Sequence, residues 1–264
     1  MGLGTAKRRF FAKRRVAKDA KQNGLRLSGE RVVAGMATMP TRTQTFDRAF
    51  SSIIRQVDRL YLYLDGHDNV PEIARNDPRV VPIFAHEYPG LHANGKLLGL
   101  VLESEPCLYA ALDDDLHFYR DYIVTMRQAL AQYNDRAVVG LHGTILDRPL
   151  EDYYVNPTWR GKYRSKLKSD AEVDILGTGA VLFSSSVLQI DVRDWPKVSM
   201  TDLGLAIAAA KASIPMISIA RKSYLTYDLQ VSQADSLTVA RNKDSSRQTN
   251  LGRELISLRD GNLA

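Results

Sequence analysis

From residue 31 onward, short apolar runs alternate with amphipathic stretches. The apolar runs have the length and the content of β-branched and aromatic residues that are typical of strands. Such alternation predicts a mostly parallel sheet flanked by helices, and therefore an α/β fold. Strands are predicted over residues 31–37, 59–66, 80–87, 107–112, 136–143, 173–185 and 215–221.

The amphipathic stretches between these runs predict helices. The first begins after Pro40, where Thr41 or Thr43 can cap it, and apolar residues recur at helical spacing from Phe46 to Ile54. Thr249 or Asn250 can cap the last predicted helix. The remaining helices are predicted over residues 92–104, 121–133, 201–213 and 251–258.

A polar and aromatic stretch over residues 147–172 interrupts this alternation. A loop of that length within a compact domain is usually functional or mobile. Aromatic faces can stack on sugar rings, and the basic residues of the stretch can bind phosphates. The stretch therefore predicts either a lid over a sugar or anion, or an interface with another subunit.

The net charge of +6 originates in the first 30 residues. This basic arm holds nine Lys or Arg residues and two acidic residues, whereas the rest of the chain has a net charge of −1. An arm that also contains Phe10 and Phe11 can adsorb to an anionic membrane surface, contact RNA phosphates, or remain solvated without a partner. The nearly neutral remainder argues against nucleic acid as the partner of the folded part.

The sequence also predicts a cytoplasmic protein, either free or peripheral on the inner face of the membrane. No apolar run reaches the roughly 18 to 20 residues that span a bilayer, and the N-terminus lacks the apolar stretch of a secretory signal. The single cysteine, Cys107, lies in an apolar segment, which favours a small buried side chain over a reactive thiol.

Three consecutive carboxylates, Asp113 to Asp115, directly follow the most apolar predicted strand. Ligands bind at the carboxyl ends of the strands in open α/β sheets, and side chains alternate along an extended chain, so Asp113 and Asp115 can face one side. Two carboxylates on one side suit a hard cation such as Mg²⁺ or Mn²⁺, which offsets their repulsion. The alternative is a solvated acidic turn that caps the helix at Asp121.

The segment CLYAALDDDLHFYRDYI resembles the strand and DXD motif of family 2 glycosyltransferases of the GT-A type. Other segments resemble that family in the same order between residue 31 and about residue 225. They are VVAGMATMPTR, for the opening strand and loop, YLYLDG, for the second strand, HANGKLLGL, for the segment after the third strand, and TDLGLAIAAAKASIP, for the acidic motif that opens a helix. The resemblance implies a GT-A, Rossmann-like fold and a glycosyltransferase that uses Mn²⁺ or Mg²⁺.

The resemblance also implies a donor site for a nucleotide sugar, with a UDP-sugar preferred. Asp115 would be the principal metal ligand, Asp113 would touch the ribose or, through water, the metal, and Asp114 would assist. Asp65 would accept a hydrogen bond from the base. For the basic residues of this site, a solvated surface position is the alternative. The further donor-binding residues are Thr38, Pro40, Arg42, Asn94 and Lys96.

Asp202 is the candidate catalytic base. In an inverting transfer, a carboxylate takes the proton of the acceptor hydroxyl as that hydroxyl attacks the anomeric carbon. The alternative is an N-terminal helix cap. The family often has Glu-Asp at this point, whereas this chain has Thr201 and Asp202. The identity of the base and inversion itself therefore stay open at this point.

The acceptor side is assigned to the second half of the chain. Two glycines around Thr178 are predicted to lie within a strand and resemble the family's acceptor-shaping stretch. No histidine follows His142, so the diphosphate, water or another side chain would complete the metal coordination. A structural role is the alternative for that histidine. The acceptor candidates are His142, Trp159, Gly177, Thr178 and Gly179.

Four parts of the chain follow from this interpretation. They are the basic arm (1–30), a nucleotide-sugar-binding half (31–145), an acceptor-binding half of the same domain (146–240) and a polar C-terminal tail (241–264). In the tail, Arg241, Lys243 and Arg247 can close over the diphosphate as a flap.

The predicted function is transfer of a sugar from a nucleotide donor to a glycan or lipid-linked acceptor. A nucleotidyltransferase is disfavoured, because MATMPTRTQ lacks a glycine-rich loop. A non-catalytic scaffold of the same fold, tethered by its arm and binding a nucleotide or a protein, is the alternative from another class. An RNA-binding protein would rest on the arm alone.

Overall fold

The computed structural model describes residues 31–155, 158–163, 165–195, 200–222, 224–229 and 245–261. The basic arm lies outside the described residues, and so do Arg241 and Lys243 of the predicted flap. Among the described segments, no helix has both the length and the apolar character needed to cross a membrane.

Thirteen strands are formed by the described residues. They are β1 (Val32–Thr38), β2 (Arg59–Leu64), β3 (Val80–Phe84), β4 (Leu108–Asp113), β5 (Leu116–Phe118), β6 (Val138–Gly140), β7 (Gly143–Ile145), β8 (Thr158–Arg160), β9 (Ala171–Val173), β10 (Ile175–Leu176), β11 (Ala180–Ser184), β12 (Met216–Ser218) and β13 (Thr226–Asp228).

Eight of these strands form one central sheet, in the order β3-β2-β1-β4-β11-β6-β12-β9. Six of the eight run parallel to one another, whereas β11 and β9 run antiparallel to their neighbours. The expected α/β fold with a mostly parallel sheet is therefore confirmed. The predicted halves share this sheet, because β11, from the second half, lies between β4 and β6.

Six α-helices accompany the strands among the described residues. They are α1 (Thr43–Ile53), α2 (Glu72–Arg75), α3 (Gly99–Leu102), α4 (Tyr122–Ala131), α5 (Thr201–Lys211) and α6 (Ser246–Gly261). The helix predicted over residues 251–258 begins earlier than expected, so Thr249 and Asn250 lie inside α6 and do not cap it.

The helix predicted over residues 92–104 is divided into two short helices. This segment forms a 3₁₀ helix, His92–Leu97, followed by the single turn of α3. Its backbone lies against the sheet, because a Cβ on Gly95 would lie 2.2 Å from the Tyr63 ring and one on Gly99 would lie 2.6 Å from the Tyr61 ring. Leucine spacing could not reveal this close backbone approach.

Two apolar layers enclose the sheet. Along β4, Leu108, Ala110 and Leu112 pack with α1 and α4 on one face, while Tyr109 and Ala111 pack with α5 and α6 on the other. This alternation follows from the two-residue period of a strand. It explains why the whole run is apolar, since both faces of the strand are covered.

The strand character predicted over residues 173–185 is confirmed, but a single continuous strand is not, because the chain divides there into β9, β10 and β11. β10 leaves the central sheet and pairs with β7, in a small sheet that also contains β8. The two glycines around Thr178 therefore lie in the turn between β10 and β11, and not within a strand. Single-strand alternation cannot predict this change of sheet, because it depends on the pairing partners.

Cys107 is buried, as expected. Burial raises the pKa of its thiol, which disfavours the reactive thiolate. The structural reading of this residue is confirmed.

Candidate active site at the carboxyl ends of β1 and β4

The strand order reverses between β1 and β4. The chain passes from β1 to β2 and β3 on one side of β1, and β4 then pairs with its other side. Such a switch point opens a crevice at the carboxyl ends of the strands, where ligands bind. Among the predicted donor residues, Thr38 ends β1 and Pro40 and Arg42 follow it, while Asp113 ends β4.

Arg42 reaches across this crevice to the acidic residues. Its Nη1 lies 3.1 Å from Asp114 Oδ1 and 3.3 Å from Asp115 Oδ2. Arg42 also occupies the N-cap position of α1, and its side chain does not cap the helix. The predicted capping by Thr41 or Thr43 is therefore wrong. The alternative that Arg42 is merely a solvated surface charge is wrong.

The three carboxylates differ in their surroundings. Asp114 is only 4% exposed, and burial raises its pKa against the opposing effect of Arg42. Burial, followed by the charges of Asp113 and Asp114, raises the pKa of Asp115 to about 7. Arg42 therefore does not fully compensate this group of acids. The alternative of a freely solvated acidic turn is wrong.

Lys96 provides a second positive charge. It is 5% exposed, and its Nζ donates a hydrogen bond to Asp113 Oδ1. Burial lowers the pKa of Lys96, but Asp113, Asp202 and Asp115 outweigh that effect and raise it. Lys96 is therefore a buried ammonium that contacts Asp113 and interacts electrostatically with Asp202, and the alternative of a solvated helix residue is wrong.

The predicted metal site is incomplete within the protein itself. No group of three or more His, Cys, Asp or Glu side chains could hold a metal among the described residues. Asp113 and Asp115 remain partly exposed, with side-chain exposures of 34% and 22%. Their oxygens fit a hard cation, but each carboxylate also contacts a basic side chain. Additional ligands would have to come from a substrate or from water.

The turn between β10 and β11 brings the acceptor candidates to this crevice. Asp113 N donates a hydrogen bond to Gly179 O over 3.1 Å. A Cβ on Gly179 would lie 2.1 Å from Asp113 Oδ2 and 2.9 Å from Tyr163 Oη, and one on Gly177 would lie 2.7 Å from the same phenol oxygen. Both positions therefore require glycine, because the Asp113 and Tyr163 side chains occupy the space that a Cβ would need.

We expect Gly179→Ala to displace the Asp113 carboxylate. The added methyl group overpacks a filled site, which typically costs about 1–3 kcal/mol, and metal-dependent nucleotide binding should weaken by at least about tenfold. Thermal unfolding and nucleotide titration measure the two effects. Gly261→Ala is the matched control, because a Cβ there meets nothing within 4 Å. Unchanged nucleotide binding by the Gly179 variant would contradict this role.

Asp202 is held at the same turn by Thr178. Its Oδ1 accepts hydrogen bonds from Thr178 N over 2.9 Å and from Thr178 Oγ1 over 2.6 Å. Asp202 is the second residue of α5, whose N-cap is Met200, so the alternative of an Asp202 cap is wrong. Asp202 Oδ2 has no hydrogen-bond partner among the described residues.

A buried asparagine, Asn94, contacts the first turn of α5, the helix that carries Asp202. Asn94 is 1% exposed, and its Oδ1 accepts a hydrogen bond from Thr201 Oγ1 over 2.7 Å. It therefore orients the first turn of α5, and its predicted contact with the donor stays a prediction. Sequence patterns did not indicate the contact with Thr201, because its partners are 107 positions apart.

The predicted base-binding residue lies at the end of the neighbouring strand. Asp65 directly follows β2, and its backbone N–H donates to Thr38 O over 2.9 Å. Its carboxylate lies 3.0 Å from His92 Nδ1. Pro40 is exposed and lies close to Gly66. Thr38, Pro40 and Asp65 therefore share one end of the crevice, together with His92, which was not predicted.

An aromatic group lies on the other side of the crevice. The His142 ring stacks on Tyr163 with the centroids 4.8 Å apart, and meets Trp159 edge-on at 4.7 Å. Trp159 lies on β8 and is 40% exposed. Tyr163 belongs to the stretch predicted as a sugar- or anion-binding lid, but the sequence did not assign it an individual role, because composition alone does not distinguish it from the other aromatic residues of that stretch.

The predicted lid is fixed to the sheet by a buried arginine. Arg221 donates hydrogen bonds to the carbonyl oxygens of Leu141, Lys162 and Ser165 over 2.6–2.9 Å. Burial lowers the pKa of Arg221 to about 10. The segment that carries Tyr163 is thus held in place on β6, and its described part does not form an independent loop.

Comparison of the sequence with protein-family models found no match, and neither did comparison with curated proteins.

Proposed function

We propose that this protein is a metal-dependent glycosyltransferase with a GT-A-like fold. It would move a sugar from a nucleoside-diphosphate donor, with a UDP-sugar preferred, to a hydroxyl of a glycan or lipid-linked acceptor. The observation that carries this proposal is a buried ammonium, Lys96, which donates a hydrogen bond to Asp113 and also interacts electrostatically with Asp202 and Asp115, beside the switch point of the sheet.

The donor side is supported by the uncompensated charge of the acidic group. Asp113 and Asp115 would hold Mn²⁺ or Mg²⁺ together with the diphosphate, while Arg42 and Lys96 would remain close to the phosphates. When bound, the cation neutralises charge on the departing nucleotide. The raised pKa of Asp115 is the physical reason to expect a positive charge at this position.

The reaction side is supported by the way in which Thr178 holds Asp202. Two hydrogen bonds to Oδ1 orient the carboxylate and leave Oδ2 available to accept a proton. The acceptor oxygen forms a bond to the anomeric carbon, and the bond between that carbon and the diphosphate oxygen breaks. The hydroxyl proton passes to Asp202 and the nucleoside diphosphate leaves, with inversion at the anomeric carbon.

A second candidate is a non-catalytic protein of the same fold that binds a nucleotide. It is favoured by the contacts of Asp113 with Lys96 and of Asp115 with Arg42, since the protein already supplies two cations where a metal is expected. Such a protein would bind a nucleoside diphosphate without transferring a sugar.

We expect UDP with Mn²⁺ to stabilise the protein. Binding at a ligand concentration about 100 times Kd contributes roughly 2.7 kcal/mol, which corresponds to an increase in Tm of about 5–10 °C. UDP with a chelator should stabilise it much less. Thermal unfolding with UDP, GDP and dTDP, each with Mn²⁺, Mg²⁺ or EDTA, measures the effect. Absence of stabilisation by every pairing of nucleotide and metal would reject the donor site.

A further inference from the structure

The exposed ring of Trp159 is connected to the candidate base by a continuous series of contacts. Trp159 meets His142, and His142 stacks on Tyr163. The Tyr163 phenol flanks the glycines of the turn that holds Asp202 through Thr178. Each link is a direct packing contact or hydrogen bond. The outer end of the series is therefore positioned relative to the reacting carboxylate.

The phenol at the inner end remains a hydrogen-bond donor. Burial, followed by the charges of Asp113 and Asp202, raises the pKa of Tyr163 well above its ordinary value. A neutral phenol can stay close to two carboxylates without adding to their repulsion. The inner end of the series is thus polar and protonated, while its outer end is an exposed aromatic face.

Lys162 adds a positive charge at the outer end. Its Nζ lies 5.3 Å from the centroid of the Trp159 ring, and the residue is exposed. An exposed ammonium on a flexible stem can leave an aromatic face at little cost and pair with an anion beside it. An aromatic ring with an adjacent ammonium is suited to a sugar ring that carries a carboxylate or a phosphate.

We infer that Trp159 and Lys162 form the acceptor platform and that the acceptor is an anionic saccharide, either a uronic acid or a sugar phosphate. The inference rests on the proposed glycosyltransferase function and specifies its acceptor. The anionic saccharide unit packs on Trp159 and pairs with Lys162, and the rest of the acceptor extends past Tyr163 towards Asp202.

The chain contains two tryptophans, which allows a direct binding test. In a Trp195→Phe protein, Trp159 is the only tryptophan reporter. We expect saturable changes in its fluorescence on titration with sugars. Glucose and galactose are each offered as the neutral sugar, the uronic acid and the 1-phosphate, with inorganic phosphate as the charge control. One or both anionic forms should bind about fivefold more tightly than the neutral sugar. Whichever of the uronic acid and the 1-phosphate binds more tightly identifies the anionic group of the acceptor.

Matched variants assign the effect to the two residues. In the Trp195→Phe background, Lys162→Gln should abolish the preference for the anionic form. Lys168→Gln, an equivalent change at an exposed residue of the same loop, should leave it intact. A Trp159→Phe protein, which reports through Trp195, should show no comparable saturable signal. Thermal unfolding verifies that each variant is folded.

Stabilisation by UDP and Mn²⁺ is measured in the same proteins to separate the two proposals. Normal UDP binding without a Trp159 response to any sugar would overturn the proposed acceptor platform, but it would not contradict the proposed donor site. Equal binding of neutral and anionic sugars would overturn the anionic specificity. If Trp159→Ala dissociates a dimer and Trp159 shows no saturable response to any sugar, the aromatic surface is an interface between copies of the chain and the inference is wrong.

Discussion

Asp202→Asn is expected to abolish sugar transfer while leaving nucleotide binding intact. The asparagine Oδ1 can still accept both hydrogen bonds from Thr178, so the first turn of α5 should keep its position. Its Nδ2 cannot take the proton of the acceptor hydroxyl. Loss of a general base typically reduces kcat by about 10²- to 10⁴-fold, and steady-state assays with a labelled nucleotide sugar would measure this change.

The matched control for this variant is Asp194→Asn. It removes the same charge from an exposed residue of the 3₁₀ helix Val192–Asp194 and should have no effect on kcat. Equal UDP-dependent stabilisation of the wild type and of the Asp202 variant would establish that the donor site is intact. Full turnover by Asp202→Asn would refute its assignment as the base. Nucleotide binding without turnover in the wild type, across a donor and acceptor panel, would favour the non-catalytic candidate.

Asp115→Asn is expected to have opposite effects on the free protein and on its nucleotide complex. In the metal-free protein, burial and two neighbouring carboxylates raise the pKa of Asp115 from 3.8 to about 7. Its charged form therefore destabilises the fold at pH 8. Asparagine removes this charge and can still accept a hydrogen bond from Arg42, so the free protein should gain on the order of 2–4 kcal/mol, or roughly 5–10 °C in Tm.

The same substitution should remove most of the metal-dependent nucleotide binding. Even residues that only orient a metal ligand typically contribute 10- to 100-fold to affinity, so loss of a ligand should weaken binding by at least about 100-fold. Titration of UDP with Mn²⁺ and with EDTA separates the metal-dependent part. Asp68→Asn, at an exposed position after β2, is the control. A variant that keeps wild-type affinity for UDP and Mn²⁺ would show that Asp115 does not hold the cation.

The pH dependence of stability in the free protein tests whether the charge of Asp115 destabilises the fold. Asp115 has a higher pKa in the folded state than in the unfolded state, so its contribution to stability is greatest below about pH 4 and is lost as the pH rises through about 7. The advantage of Asp115→Asn over the wild type should therefore appear between these values and persist above them. Measurements of Tm with EDTA from pH 4 to pH 8 would reveal it.

Local patterns predicted the main elements because each of these elements depends on neighbouring residues. The apolar run that becomes β4 is buried on both faces, and a run of that kind reads as a parallel-sheet strand without any knowledge of its partners. The stripe from Phe46 to Ile54 likewise predicts the buried face of α1. Failures occurred where the backbone approaches another element closely, as at Gly95, or where the chain changes sheets, as after Val173.

The same distinction applies to the candidate site. From the sequence alone, three carboxylates had to follow a buried strand, and Asp202 had to lie in the first turn of a helix, because both placements depend on a few adjacent residues. Only the tertiary structure decided which charges meet. Lys96 reaches Asp113, Arg42 reaches Asp114 and Asp115, and Thr178 orients Asp202, through contacts between residues 17 to 73 positions apart. Ion pairing and close backbone packing act through space, and the strand order that creates those distances is not encoded in any single segment.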